Sequence, residues 1–483
     1  MSHVVLVAPP NPSMLEPRIA PPLGLLFLAS WLTERAAVGC SVEVIDLNVA
    51  CYEPTNPRGH ATHDFSLDRC LREIPGGAAV YGISLASMQM PHGIALCHAL
   101  RKRDPDALLV AGGSHASSVP HEVAEVFDVV VQQEGEVAFS RIVAGWLGGG
   151  ADAVPFRAAH ARMRSGVADA RGLVVDGVKI DPLDRLPFPA RHLLDFTKYV
   201  RKVAGQAATN IITTRGCPAR CNFCQQTSLW GDGALRVQTA PRILAEVDAI
   251  YEQTGIRNLL FLDDSLTARK RSDMFALCDG LRERGVKWRG WTRANLVARP
   301  GEEEVLAAMA DAGCQALCVG VEAGTDRVLR GVGKGTTVAQ NRTAIARIKA
   351  AGMYARSSIM VGNPGETWDD VIALVDFIAE VEPDDWILSS YVPLPGTPAW
   401  DTPEKYGMII DKEKAKRDAY RHFFVVGGDE QSGLVHRYVD GTGPEEIQAR
   451  HDFVQESLLR LAPRDRIRVT IGRGVDPSER RAH

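Results

Sequence analysis

A chain of 483 residues, 45% hydrophobic and 24% charged, has the composition of an ordinary globular protein, with length for on the order of two or three domains. Its formal net charge of -4 comes without the basic stripe of a nucleic-acid binder. No run approaches the roughly 18 apolar residues of a membrane span, and MSHVVLVAPP lacks the charged start of a signal peptide. Ten cysteines without an export signal predict a reducing, cytoplasmic setting.

Residues 1–148 alternate strand and helix signals. HVVLVAPP reads as a buried strand entering a Pro-rich loop, LGLLFLASWLTERA as a helix, and SVEVIDL, AVYGISL, ALLVAGG and DVVVQQ as further strands. PHGIALCHALRKR and HEVAEVF supply helices between some of them. This predicts a doubly wound, Rossmann-like parallel sheet whose ligand loops lie at the strands' carboxyl ends, at 9–12, 84–89, 112–115 and 132–136. Residues 149–205, first rich in Gly, Ala and Arg and then Pro-punctuated in DPLDRLPFPARHLLDF, are expected to be a linker.

A second alternation fills residues 206–400. ATNIITT, RNLLFLD, KWRGWTR, QALCVGVE, ARSSIMVG and DWILSSY read as strands, with helical patterns at 239–254, 302–312, 337–351 and 368–381 among those between them. Six such units are too few for an eight-fold barrel and predict a partial one, with its chemistry after the strands' C-terminal ends. Residues 401–483 are less patterned, with helical signals near 444–462, and are expected to form a small, mainly helical cap over the substrate. Residues 386–483 are expected to form much of the substrate pocket, with Trp386, Tyr391, Trp400, Tyr406 and Tyr420 as aromatic candidates, Tyr391 and Trp400 foremost.

The first strand of this second part leads into TTRGCPARCNFCQQ, which places Cys217, Cys221 and Cys224 within eight residues. Three thiolates on one short loop suit one face of a cuboidal iron–sulfur cluster and leave the fourth iron without a protein ligand. A structural zinc ion needs four ligands, yet no histidine lies between His192 and His422 and no cysteine between Cys224 and Cys278. Buried inert thiols fit poorly beside Arg215, Arg220, Asn222 and two glutamines. Cys314 and Cys318, on or beside a strand, read as small buried hydrophobes. GVGKGTT is no phosphate loop, because Gly335 stands where Ser or Thr is required. Lys334 and Thr336 are expected to open the next helix. Without histidine in residues 206–400, any general base there must be Asp, Glu, Lys, Tyr or Cys, which suits radical chemistry better than hydrolysis.

RGCPARCNFC resembles the CxxxCxxC loop of the radical SAM superfamily. With LPFPARHLLDFTKYV, FLDDSLT, CVGVEAGTDRVL, GNPGET and PLPGTPAW following in order, and PPLGLLFLA and GGSHAS ahead, nearly the whole chain resembles that superfamily's cobalamin-binding branch. The resemblance implies a 4Fe–4S cluster on the three cysteines, with S-adenosylmethionine chelating the open iron and yielding a 5′-deoxyadenosyl radical on reduction. It makes Phe223, Asp264, Arg293, Glu322, Gly362 and Pro364 candidates for S-adenosylmethionine; for Asp264, and for Glu366 nearby, helix capping is the competing role. It also implies a cobalamin site at Pro10, Ser84, Ser87, Met88, Gln89, Gly112, Gly113, Ser114, His115, Gln133, Glu134 and Gly135.

The signature D-x-H-x-x-G is absent, so no protein imidazole is expected under cobalt, and Ser87, Met88 and Gln89 are expected at the lower face. QEGE places Gln133 where the family pattern has glycine, putting a side chain against the corrin or its nucleotide tail. The activity implied first is methyl transfer, through the radical and methylcobalamin, to an unactivated carbon or a phosphinate of a small-molecule or natural-product intermediate. Radical cyclisation or rearrangement with the same cofactors is the alternative, and a non-catalytic cobalamin or redox sensor a third reading. The expected partners are that small molecule and an external electron donor of flavodoxin or ferredoxin type, with neither nucleic acid nor membrane.

Overall fold

Strand β1, Ser2–Ala8, is an unbroken apolar run, and Val4, Val5, Leu6 and Val7 are fully buried, as a strand covered on both faces requires. The structure is a computed structural model that describes the chain apart from residues 1, 13, 15, 37, 54–61, 166, 168, 232, 419–433 and 462–483. It divides into two compact units, one built on residues up to Val200 and the other on residues from Arg201.

In the first unit β1 is joined by β2 (Cys40–Asp46), β3 (Val80–Ser84), β4 (Leu108–Gly112), β5 (Val129–Gln132) and β6 (Leu173–Asp176). All pair in parallel in the order β2-β1-β3-β4-β5-β6. The chain steps outward from β1 to β2 and then returns past β1 to β3. The strand order therefore reverses between β1 and β3, where doubly wound sheets open a ligand crevice. Helices α1 (Leu23–Ser30), α2 (Met90–Arg103) and α3 (Gly135–Gly148) supply crossovers and cover.

The expected linker needs correction. Residues 149–205 include helix α4 (Val154–Arg164) and the edge strand β6, whose residues pair Leu173 with Val129 through Asp176 with Gln132. Four residues on a sheet edge, three half-buried and one exposed, are too few to show a period of two.

The second unit is a seven-stranded sheet in the order β13-β12-β11-β10-β9-β8-β7. Its strands are β7 (Lys202–Val203), β8 (Gln206–Ile211), β9 (Asn258–Phe261), β10 (Trp288–Thr292), β11 (Cys314–Glu322), β12 (Tyr354–Val361) and β13 (Asp385–Ser390). Strands β8 to β13 are parallel, each at its predicted place, and β7 adds an antiparallel edge. The sheet is a curled half-barrel. Between its strands run α5 (Ala240–Thr254), α6 (Arg271–Glu283), α7 (Glu302–Asp311), α8 (Val338–Ala350) and α9 (Trp368–Val381). Each turns an apolar stripe inward, as α5 does with Ile243, Val247 and Ile250. Helix α10 (Pro444–Leu461) adds Val454 and Leu458 to that core. Cys278, Cys314 and Cys318 lie buried in the unit, inert as small hydrophobes. Among the described residues no helix is long and apolar enough to cross a membrane.

Candidate functional site

The cysteine loop leaves β8 through a buried clamp. Asp263, just past β9, accepts from the backbone N of Thr213 at 2.6 Å, the backbone N of Thr214 at 2.8 Å, and the Thr213 hydroxyl. The Arg269 guanidinium donates to that hydroxyl at 2.7 Å. Burial pushes the Asp263 carboxyl above its usual range while Arg269 and the threonine donors oppose the shift. Further on, Asn222 alone makes four bonds. Its backbone N donates to the Val332 carbonyl at 3.0 Å and its Nδ2 to the Gly331 carbonyl at 3.1 Å; its carbonyl accepts from Ala399 N at 3.0 Å and its Oδ1 from the Tyr391 hydroxyl at 3.0 Å. Gln225 Nε2 donates to the Pro395 carbonyl at 3.0 Å. The loop is thus held by segments more than a hundred residues away in sequence.

Cys221 is buried, and Cys217 and Cys224 are half-buried. Desolvation raises the Cys217 thiol and pushes Cys224 up to about 12, so both stay protonated until a metal withdraws the proton. The Arg293 guanidinium lies beside them, with Nη1 4.0 Å from Cys221 Sγ. Among the described residues no three His, Cys, Asp or Glu side chains converge on a single-ion position. A cuboidal cluster does not ask for that, since each thiolate meets a different iron. Three thiols beside one guanidinium fit such a cluster and fall short of a four-ligand zinc centre.

Around this loop the predicted residues separate by role. The Phe223 ring stands edge-on to Tyr391 with centroids 6.2 Å apart. Asp264 is half-buried and accepts from Gln226 Nε2 at 2.7 Å. It caps no α-helix, because α6 starts after Lys270. Arg293 donates to the Lys334 carbonyl. Glu322 ends β11 at φ 63°, a left-handed conformation that costs a non-glycine residue on the order of 1–3 kcal/mol, and its Oε1 meets Lys334 Nζ at 2.6 Å in a buried ion pair. Lys334 therefore corrects the sequence expectation. Helix α8 is opened by Thr337, which forms a capping box with Gln340, while Lys334 turns inward.

Gly362 lies under α10. A side chain there would start 2.7 Å from Ile447, and its carbonyl accepts from the Tyr438 hydroxyl at 2.6 Å. Pro364 follows half-buried on the same loop. Glu366 does not cap α9, a role taken by Thr367 with Asp370. It accepts instead from Gly362 N at 2.6 Å and Asn363 Nδ2 at 2.7 Å, bracing GNPGET from within.

In the first unit a cavity of about 210 Å³ lies at the carboxyl ends of β1, β2 and β3, bordered by Ala8, Asp46, Ser84 and Gln89 among others. Gln89 holds the rim, its Nε2 donating to the Pro9 carbonyl at 2.6 Å and its Oε1 accepting from Ala86 N at 3.0 Å. Pro10 is buried in the same loop. Ser87 departs from expectation. It is buried with its Oγ 3.0 Å from His115 Nδ1, facing that ring, whereas Met88 is half-buried. His115 is fully buried, and desolvation lowers its pKa to about 4, so the ring is neutral.

Gly112 accepts from Leu85 N at 2.8 Å and Leu85 accepts from His115 N at 2.9 Å, tying the β3 and β4 loops together. Between them Gly113 has φ 99°, and a Cβ there would stand 2.7 Å from the Leu85 carbonyl oxygen, so no other residue fits. Ser114 opens the short helix Ser114–Ser118. Gln133 occupies φ 58°, the conformation that glycine would take without strain, and its backbone N donates to Ser117 Oγ at 2.8 Å. Glu134 is buried and accepts from Val178 N at 3.1 Å, and Gly135 begins α3. All four predicted loops thus meet at one end of the sheet.

Residues 211–378 match the radical SAM superfamily, and residues 17–143 match the B12 binding domain. The chain is a cobalamin-dependent radical SAM enzyme. A 4Fe–4S cluster, S-adenosylmethionine and cobalamin are the cofactors that its two domains imply. The enzyme is similar to an uncharacterized methyltransferase of Pyrococcus horikoshii, 26% identical over 82% of each chain. It is also similar to an anaerobic magnesium-protoporphyrin IX monomethyl ester cyclase of Cereibacter sphaeroides, 27% identical over 64% of this chain and 50% of that one. In fold it resembles the radical S-adenosylmethionine methyltransferase TsrM of Kitasatospora setae, solved with cobalamin and a 4Fe–4S cluster bound. That likeness has a TM-score of 0.65 at 18% identity and covers 96% of this chain and 90% of that one.

The enzyme's half-barrel keeps polar atoms waiting at its strand ends. Ser265 Oγ after β9, Asn295 Oδ1 after β10 and Thr336 Oγ1 just ahead of α8 are buried without a hydrogen-bond partner, as is Ser357 Oγ within β12. Native proteins leave few such atoms unmet, so these fit a polar ligand such as S-adenosylmethionine. Sequence reasoning passed over Ser265 and Ser357; for Ser265 and Asn295 the available signal was a polar residue just past a strand.

The two foremost substrate aromatics are both enclosed by the second unit. Tyr391 is fully buried and serves Asn222, and Trp400 is buried with Lys412 Nζ 5.5 Å from its ring centroid. Tyr420 lies outside the described residues.

Glu366 makes the enzyme's stability depend on pH. Burial raises its pKa from 4.5 to about 7 against the pull of Asn363, Gly362 and Arg450. Between those values the folded state keeps a proton that the unfolded state has released, so stability falls as pH rises through the window, by about 3 kcal/mol in all. Glu366→Gln is expected to remove that slope, read as the difference between the two proteins' urea midpoints from pH 4.5 to above 7.

Proposed function

We propose that the enzyme is a methyltransferase acting on an unactivated carbon, or a phosphinate, of a small-molecule intermediate. What supports this reading is a set of loops cross-braced at the carboxyl end of the N-terminal sheet, in the same chain as a complete cysteine loop. Its similarity to a methyltransferase over 82% of both chains supports it. When bound, the cluster and S-adenosylmethionine supply a carbon-centred radical and cobalamin supplies the methyl carrier.

The protein's part is binding, orientation and exclusion of water. Asn222 fixes the loop, Arg293 and Lys334 place positive charge beside it, and Glu322 and Asp264 place negative charge, a pattern suited to the carboxylate and amino ends of S-adenosylmethionine. No histidine lies in the half-barrel, so substrate activation there proceeds without an imidazole base. Electrons come from an external one-electron donor of flavodoxin or ferredoxin type.

Anaerobic turnover with methyl-labelled S-adenosylmethionine tests the reading. Methyl transfer is expected to give labelled product with S-adenosylhomocysteine and 5′-deoxyadenosine in near-equal amounts. A second reading, radical cyclisation, is favoured by the similarity to the Cereibacter sphaeroides cyclase. It predicts deoxyadenosine and product with no S-adenosylhomocysteine, an outcome that would sink the methyltransferase assignment.

A further inference from the structure

The inner face of the half-barrel carries a row of side chains that the S-adenosylmethionine assignment leaves unused. Along β10 to β13 alternate residues enter the core beneath the helices, as Trp288, Val319, Ile359 and Leu388 do. The residues between them face the concave side. Register sets Trp291, Cys318, Arg356 and Asp385 in one row across these four strands. Arg289 stands one row nearer the start of β10, and Ser358 one row nearer the end of β12. Arg289, Trp291, Arg356 and Ser358 are all half-buried, so this face is open rather than packed shut. Trp291 and Arg356 lie two strands apart, about 10 Å, with only the small Cys318 between them. One row up, a Cβ at Gly320 would stand 2.6 Å from Glu322 Oε1 and closer still to Lys334 Nζ. The row thus lies about 7 Å, two residues of β11, below the ion pair assigned to S-adenosylmethionine.

Arg356 is held in place and yet largely unspent. Its Nη2 donates to Asp385 Oδ2, while Asp385 Oδ1 accepts from Trp386 N at 2.7 Å, so both oxygens of that carboxylate are engaged. Arg356 Nε is buried and has no hydrogen-bond partner among the described residues, although the side chain as a whole is 21% exposed. A guanidinium offers donors only, and a buried donor left unmet bears its full desolvation cost. The row therefore favours an occupant that brings negative charge. An ammonium would find no free carboxylate and would meet two guanidiniums. A carboxylate or phosphorus oxyanion matches the planar fork of donors, and the Trp291 ring gives the rest of the molecule an apolar surface.

We propose that this row binds the substrate by an anionic group, a carboxylate or a phosphorus oxyanion, seated on the Arg356 guanidinium that Asp385 orients. The inference rests on the reading above that the enzyme acts on a small molecule. It narrows that molecule to an organic anion, held with its reacting carbon on the S-adenosylmethionine side of the row.

The experiment is an anaerobic calorimetric titration of the full chain carrying its cluster and cobalamin, with saturating S-adenosylmethionine and no reductant. The probes are benzoate, phenylphosphonate and the uncharged benzamide. The unsubstituted chain is expected to bind one of the anions at least about tenfold more tightly than benzamide, and the tighter anion tells carboxylate from phosphorus oxyanion. Arg356→Met keeps the aliphatic stem and removes the donors; it is expected to weaken that anion about tenfold and to leave benzamide unchanged. Because this change strands the Asp385 carboxylate, Arg356→Met with Asp385→Asn is measured beside it and is expected to show the same loss. Benzamide reports in both variants whether the site is intact. Equal affinity of the unsubstituted chain for anions and amide, binding of no probe, undiminished anion affinity in both variants, or equal losses of anion and amide in both would overturn the proposal. The titration needs no turnover. Absence of a labelled small-molecule product would fail the reading of the activity, and the anion preference and its loss in Arg356→Met would still be measured separately.

Discussion

Replacing Cys217, Cys221 and Cys224 together by alanine is expected to abolish iron binding and all reductive cleavage of S-adenosylmethionine. Anaerobic reconstitution should load about four irons on the unsubstituted chain and none above background on the variant. Each single variant is expected to lose cleavage as well, because an iron that loses its thiolate leaves the cluster free to shed it. The fold should survive. The loop is braced chiefly by the backbone and side chain of Asn222 and by Gln225 rather than by the thiols. Far-ultraviolet circular dichroism should therefore match the parent. Cys278→Ala is the control; buried in α6, it is expected to cost about 1–2 kcal/mol of stability and to leave iron content unchanged. Iron retained by the triple variant, with cleavage intact, would refute the assignment of this loop.

Lys334→Met is expected to be among the most destabilising single substitutions in the half-barrel. Both partners of the Glu322–Lys334 pair are buried, and removing the lysine strands a carboxylate that already sits on strained backbone. Breaking a buried pair from one side costs about 3–5 kcal/mol, whereas removing both charges together costs far less. Glu322→Gln with Lys334→Met should therefore recover most of the stability lost by Lys334→Met alone, measured by chemical denaturation of the apo chain. Cleavage of S-adenosylmethionine should not recover, because both charges assigned to its ends would be gone. Full recovery of cleavage in the double variant would make the pair purely structural.

The cysteine loop was legible because a cluster ligand set is local: three thiols within eight residues carry their chemistry wherever the loop is placed. The six β–α units of the half-barrel and the first five strands of the N-terminal sheet were legible for a related reason, since a buried parallel strand must be apolar throughout and a crossover helix must be apolar every third or fourth residue. Strand β6 was not, being four edge residues, three half-buried and one exposed, in a stretch without periodicity. Lys334 was not, because nothing beside it in sequence says that its ammonium will meet a carboxylate twelve residues earlier across a loop. Tyr391 looked like a substrate aromatic until the fold set its hydroxyl on Asn222, 169 residues away. The Asp46–Tyr199 contact that stiffens the cavity wall spans 153 residues. Local order follows from side-chain period and backbone stereochemistry and is written in neighbouring residues; a buried polar group's partner is chosen by which distant segments the packing brings within hydrogen-bond reach, and that is decided only when the whole sheet has closed over it.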